Sequence, residues 1–115
     1  MAHDDGNLLW RIACRLEEEG KLEQAIAAYE HAIDRGSVNA MVNLGALYDD
    51  KCSPPDPKRA VELFERASSL GNASAAWNLA MHYKDRDNRK EYCRWLQRAA
   101  DLGDEDAISA LKESR

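Results

Sequence analysis

Two stretches decide the fold: GSVNAMVNLGALY at residues 36–48 and GNASAAWNLAMHY at residues 71–83. Each sets Gly, Ala and Leu four residues apart (Gly36, Ala40, Leu44; Gly71, Ala75, Leu79). A small residue follows (Gly45, Ala80), and then an aromatic (Tyr48, Tyr83). A third stretch, GDEDAISALK, repeats the opening with Gly103, Ala107 and Leu111. That spacing puts the side chains on one face of a helix. The segments before the three glycines also align: AIAAYEHAIDRG, AVELFERASSLG and YCRWLQRAADLG. Each has Ala four residues before the glycine (Ala32, Ala67, Ala99) and a large apolar residue seven before it (Tyr29, Phe64, Leu96). Small and large residues in helical alternation let one helix nest against the next. The glycines are expected C-caps. Self-similarity at this period implies stacked helical units.

The pattern predicts A-type helices over about 8–19, 38–49, 73–85 and 105–113, and B-type helices over about 22–35, 57–70 and 89–102. Asp56-Pro57 suits a helix start, Asn88 another, and Asp5 or Asn7 the first. KCSPPDP, residues 51–57, is the one real loop. The organisation expected is a tail over 1–7 and one repeat domain over 8–115, with repeats over about 8–36, 37–71 and 72–103 and a cap over 104–115. Composition agrees. The 115 residues hold 18 alanines, seven Val plus Ile and no Thr, which argues against sheet. Lys and Arg number 16 against 21 Asp and Glu, a net charge of −5. Duplex DNA and anionic membrane both call for a cationic footprint, so neither nucleic acid nor membrane is an expected partner. The start, MAHDDGNLLW, lacks the basic-then-apolar pattern of a secretory leader, and no stretch is long and apolar enough to span a bilayer. A cytoplasmic setting is expected.

No catalytic or metal chemistry is legible. Cys14, Cys52 and Cys93 form no CxxC pair, and an odd, widely spaced set suits a reducing compartment. Cys14 and Cys93 read as helix-packing residues; Cys52, beside Lys51, sits in the loop. His31 and His82 read as helix-surface residues without a nearby carboxylate. No phosphate loop, dinucleotide fingerprint, HExxH or GxSxG occurs. No cofactor, metal or catalytic residue is expected.

These residues resemble the Sel-one-like repeat family, a relative of the tetratricopeptide repeat. Ala40, Leu44, Gly45, Tyr48, Asp56, Ala60, Phe64, Arg66, Ala67 and Gly71 follow the family pattern in the central repeat. Ala75, Leu79, Tyr83, Trp95, Arg98, Ala99, Ala100 and Gly103 follow it in the next. Ala25 to Leu44, Ala60 to Leu79 and Tyr92 to Leu111 are each 19 apart, shorter than the tetratricopeptide register. Ala13 and Ala80 stand where Gly is usual, Tyr92 where Ala is, and SPPDP replaces the family's Gly-x-Gly loop. The resemblance implies an all-α, right-handed α-solenoid of about three antiparallel helix pairs plus a C-terminal capping helix.

In such a fold the A helices line a concave groove suited to a peptide or partner helix. The residues off the packing stripe are then candidates for contact. They are Trp10 in the first unit, Asn39, Asn43, Asp49 and Asp50 in the second, and Trp77, Asn78, Met81 and Lys84 in the third. Asn43 and Asn78 hold the same place in consecutive repeats; each either pairs with a peptide backbone or bonds a neighbouring helix. Trp77, Met81 and Trp10 suit an apolar anchor site or inter-repeat packing. Glu17, Glu18, Asp49 and Asp50 lie at helix C-termini, where the dipole disfavours them; they suit a groove rim for a basic partner, or plain solubility. The basic residues from Lys84 to Arg98 are interleaved with acids and read as a solvated face. The expected function is non-catalytic binding of a protein or peptide, as an adaptor, a scaffold or a neutralising partner of a toxin or effector. The alternative is a structural protein that self-associates. Monomer or weak homodimer is expected.

Overall fold

The structure is a computed structural model that describes residues 6–51 and 55–113. Among these residues there are seven α-helices and no strand. In order they are α1 (Asn7–Glu18), α2 (Leu22–Asp34), α3 (Val38–Ala46), α4 (Pro57–Ser69), α5 (Ala73–Asp85), α6 (Arg89–Asp101) and α7 (Glu105–Glu113). Each packs against the next in chain order, which makes an all-α solenoid. The odd-numbered A helices form one layer and the even-numbered B helices the other.

One turn, used three times, joins B to A. Gly36, Gly71 and Gly103 adopt φ near +90°, which only glycine takes without strain. Their N–H groups and those of the next residue return to the last turn of the B helix. That next residue then caps the A helix. Ser37, Asn72 and Asp104 accept from the backbone N–H of Ala40, Ala75 and Ala107 at 3.1, 2.8 and 2.9 Å. The stop signal and the start signal are therefore adjacent residues. Asp56 and Asn88 cap α4 and α6 as expected, by accepting from Arg59 N–H and Glu91 N–H. Asn7 is instead the first residue of α1, and its N-cap is Gly6 at φ +79°. A Cβ at Gly6 would run into the Ala32 carbonyl, so the entry to α1 is seated on the end of α2. Asp5 lies outside the described residues, as do Cys52, Ser53 and Pro54 of the loop.

The second A helix departs from its expected form. After Ala46 the chain loosens into a π-helical turn over Leu47–Lys51. This lies in the longer repeat: Gly45 follows Ala13 by 32 residues, and Ala80 follows Gly45 by 35. The turn closes where Asp56 N–H donates to the Tyr48 carbonyl at 2.7 Å.

The core is built from alanines facing large residues. Ala13, Ala25, Ala32, Ala40, Ala60, Ala67, Ala75, Ala80 and Ala99 are fully buried beside Tyr29, Phe64, Leu79 and Leu96. At Gly45 even a methyl has no room, since an added Cβ would sit 2.7 Å from Phe64 Cε1. Tyr29 is buried with its hydroxyl donating to Glu17 Oε1 at 2.6 Å, beside Cys14 Sγ at 3.6 Å. Cys14 packs as expected. Cys93 does not: it is exposed.

Gly36→Val strains the left-handed turn and is expected to cost roughly 1–2 kcal/mol. Gly45→Ala forces Phe64 to move and is expected to cost roughly 1–3 kcal/mol; thermal denaturation of both variants checks this. Burial, and then its bond to Glu17, pushes the Tyr29 hydroxyl above its ordinary range. Above pH ~10 the unfolded chain loses this proton while the folded chain keeps it, so stability falls as pH rises. Burial raises Tyr83 in the same direction. Tyr29→Phe is expected to cost about 1 kcal/mol at neutral pH and to flatten the alkaline fall in melting temperature.

Candidate functional site

The A helices share one open strip. With Ala13, Gly45 and Ala80 aligned, the exposed or half-buried places recur helix by helix. Asn7, Asn39 and Ser74 fill one; Trp10, Val42 and Trp77 the next; Arg11, Asn43 and Asn78 the third. Cys14, Ala46 and Met81 follow a turn later, and Glu18, Asp50 and Asp85 a turn after that. The intervening places are buried in α3 and α5: Ala40, Leu44 and Leu47, then Ala75, Leu79 and His82. Helical period and inter-repeat packing together leave this strip as the surface of the A layer.

Polar contacts tie neighbouring members of the A layer to one another. Trp10 Nε1–H of α1 donates to Asn43 Oδ1 of α3 at 2.9 Å, with both side chains half-buried. His82 Nδ1 of α5 lies 2.9 Å from Asp49 Oδ1 of the π-helical turn. Arg86 joins this second bond, with Nη2 3.7 Å from the same carboxylate and Nη1 donating to the His82 carbonyl at 3.1 Å. His82 is therefore a buried histidine paired with a carboxylate, not a surface one. Its ring also meets Tyr83 edge-on, with centroids 5.0 Å apart. The B layer is tied similarly, by Arg59 to Glu30 at 4.0 Å and by Arg98 donating to the Ser68 carbonyl at 3.1 Å.

These bonds place the expected site residues. Asn43 bonds a neighbouring helix through its oxygen. Trp10 is half-buried against α3 rather than standing free at the end of the stack. Glu17 and Asp49, two of the four acids at helix C-termini, have local partners in Tyr29 and in His82 with Arg86, which offset the unfavourable dipole. Asp50 and Glu18 are exposed, and Asn39 is exposed on the first turn of α3. Trp77, Asn78 and Met81 come together, half-buried, on α5. Lys84 lies apart from them, its Nζ 5.8 Å from the Tyr92 ring centroid. There it lines a cleft of about 620 Å³ between α5, α6 and α7 with Arg89, Tyr92, Cys93, Leu96 and Leu111.

The residues that sequence reading missed are His82 and Arg86. A polar residue at the place of buried Leu47, in the next repeat, was the available signal. Among the described residues no group of three or more His, Cys, Asp and Glu is placed to hold a metal ion. No helix is long and apolar enough to cross a membrane.

The Sel1 repeat pattern matches residues 38–72 and 93–104, covering α3, the π-helical turn, α4 and most of α6. An F-box protein of Arabidopsis thaliana is 34% identical over 84 residues, 71% of this chain and 23% of that protein. The chain thus spans about a quarter of the length of this curated relative. Sel1 repeats in general mediate protein–protein interaction and act as non-catalytic modules. With its helix pairs, its glycine-capped turns and this match, the chain belongs to the Sel1-like repeat family.

Proposed function

We propose that the chain is a non-enzymatic adaptor that holds a protein or peptide partner on the concave face of its A helices, in a reducing, cytoplasmic setting. The observation that carries this is the strip itself. It presents Trp10 and Trp77, the amides Asn43 and Asn78, and Met81 at corresponding places along the A helices, over a layer joined by Trp10–Asn43 and Asp49–His82. A surface already rigid before binding loses little entropy on binding. Trp77 and Met81 supply the apolar part, and Asn39, Asn78 and Asp50 the polar part. In the F-box relative the matching stretch is a minor part of a longer protein, which suits a module that recruits. Free thiols at Cys14 and Cys93 fit the compartment.

A second reading, self-association through α1, rests on a different observation. Leu8 and Ile12 are 57% and 43% exposed, whereas Ala40 and Leu44 at the same places in α3 are 0% and 2% exposed. Arg15, however, stands at the place of buried Leu47 and His82, and a charge there opposes an apolar seam.

Capture from native lysate is the test. A Trp77→Ala, Asn43→Ala, Asn78→Ala variant of equal helicity is expected to lose the partner that wild type retains, by about tenfold or more in affinity. Undiminished capture would move the site to the B layer or the ends. A rise in mass with concentration by light scattering, suppressed by Ile12→Glu, would favour self-association.

A further inference from the structure

The repeat register exposes a missing rung. At the α1–α3 step, the indole of Trp10 spans to Asn43 and satisfies its oxygen. Asn78 occupies the same place on α5, so the α3–α5 step offers the same amide. By the repeat register, the residue at Trp10's place on α3 is Val42, which is too short to bridge and has no side-chain donor. Among the described residues no side chain hydrogen-bonds to Asn78, although it is half-buried. A half-buried amide lacking a protein partner is completed by water or by a ligand. Met81, one turn on along α5, is half-buried and flexible, and Ala46, at the same place on α3, is exposed and small. The α5–α7 step differs again, because Ala110 replaces the amide there. Only the α3–α5 step combines the amide with a small residue at Trp10's place on the preceding A helix.

Charge defines what flanks that step. Glu18 and Asp85 end α1 and α5, and Asp50, which corresponds to them by sequence count, lies in the π-helical turn that follows α3. All three are exposed, and none has a hydrogen-bond or ion-pair partner among the described residues. Glu17 and Asp49 are consumed by contacts within the fold; these three are not. The negative helix ends add to their field. Packed helices lie about 8–10 Å apart, and an extended chain advances roughly 3.3 Å per residue. A segment crossing the strip thus meets one carboxylate about every third residue.

We propose that the A-helix strip takes an extended basic segment bearing one Trp or Tyr, whose ring seats over Val42 and donates to Asn78 as Trp10 does to Asn43. This rests on the A-helix face being the binding surface. The partner is therefore a protein with an aromatic residue among Lys or Arg spaced about three residues apart.

The test is selection from a random-peptide display library against the wild-type chain, followed by titration of the enriched peptides as synthetic labelled probes. Trp or Tyr with Lys or Arg is expected in the enriched set. Val42→Trp supplies the missing rung from within and is expected to weaken these peptides by tenfold or more (about the loss of one anchor contact), with no loss of melting temperature. Should Val42→Trp disturb the fold, Asn78→Leu is expected to weaken binding while Val42→Ala retains it. Replacing Glu18, Asp50 and Asp85 with their amides is expected to weaken binding and remove its salt dependence. Acidic peptides, peptides unaffected by Val42→Trp and Asn78→Leu, or no enrichment would each overturn this inference. Of these, peptides that still lose affinity on Trp77→Ala leave the groove reading standing. Peptides indifferent to every change on the strip overturn both.

Discussion

The close approach of each A helix to its own B helix is the constraint on which the molecule depends. It is most stringent where Gly45 meets Phe64, with no space for a methyl between backbone and ring. Buried alanines carry the same approach along the rest of the stack. A chain of this size has little core to spend, so it gains stability by pressing helices together with small residues and filling the gaps with Tyr29, Phe64 and Leu96. The shared turn at Gly36, Gly71 and Gly103 sets the angle at which each pair meets the next. A capping side chain directly after each glycine makes that angle a local property of two residues.

Close packing and the glycine turns order the pairs, and polar contacts add to the relation between neighbouring A helices. Trp10–Asn43 joins α1 to α3, and Asp49 with His82 and Arg86 joins the π-helical turn to α5 and the residue that follows it. The π-helical turn carries Asp49, which meets a histidine on the following repeat. That contact uses Asp49, while Asp50 beside it stays exposed. What the surface presents to a partner is thus decided partly by which carboxylates the fold has already used.

Much of the architecture was legible because its determinants are local and repeated. Glycine, alanine and leucine at spacings of four, with Pro57 after Asp56, state where helices begin and end, and α5 and α7 lie over the residues expected. The places on the strip were also readable, since helical period alone separates Val42 and Ala46 from Leu44 and Leu47. Less legible was what those residues touch. Asn43 read equally as ligand contact or helix partner, because an amide serves either and only the position of Trp10 decides. His82 read as a surface residue, because its partner lies on another helix 33 residues away.

The sequence by itself determined the repeat, the helix pairs, the glycine turns and the all-α class, since each follows from backbone conformational preference and the burial of apolar faces at a fixed period. Only the tertiary structure decided the π-helical turn, the burial of His82 against Asp49, the exposure of Cys93 and the division of the acids into those already paired and those left open. These depend on distances between side chains far apart in the chain. Such distances are set by how one helix pair seats on another, not by the preferences of any single segment.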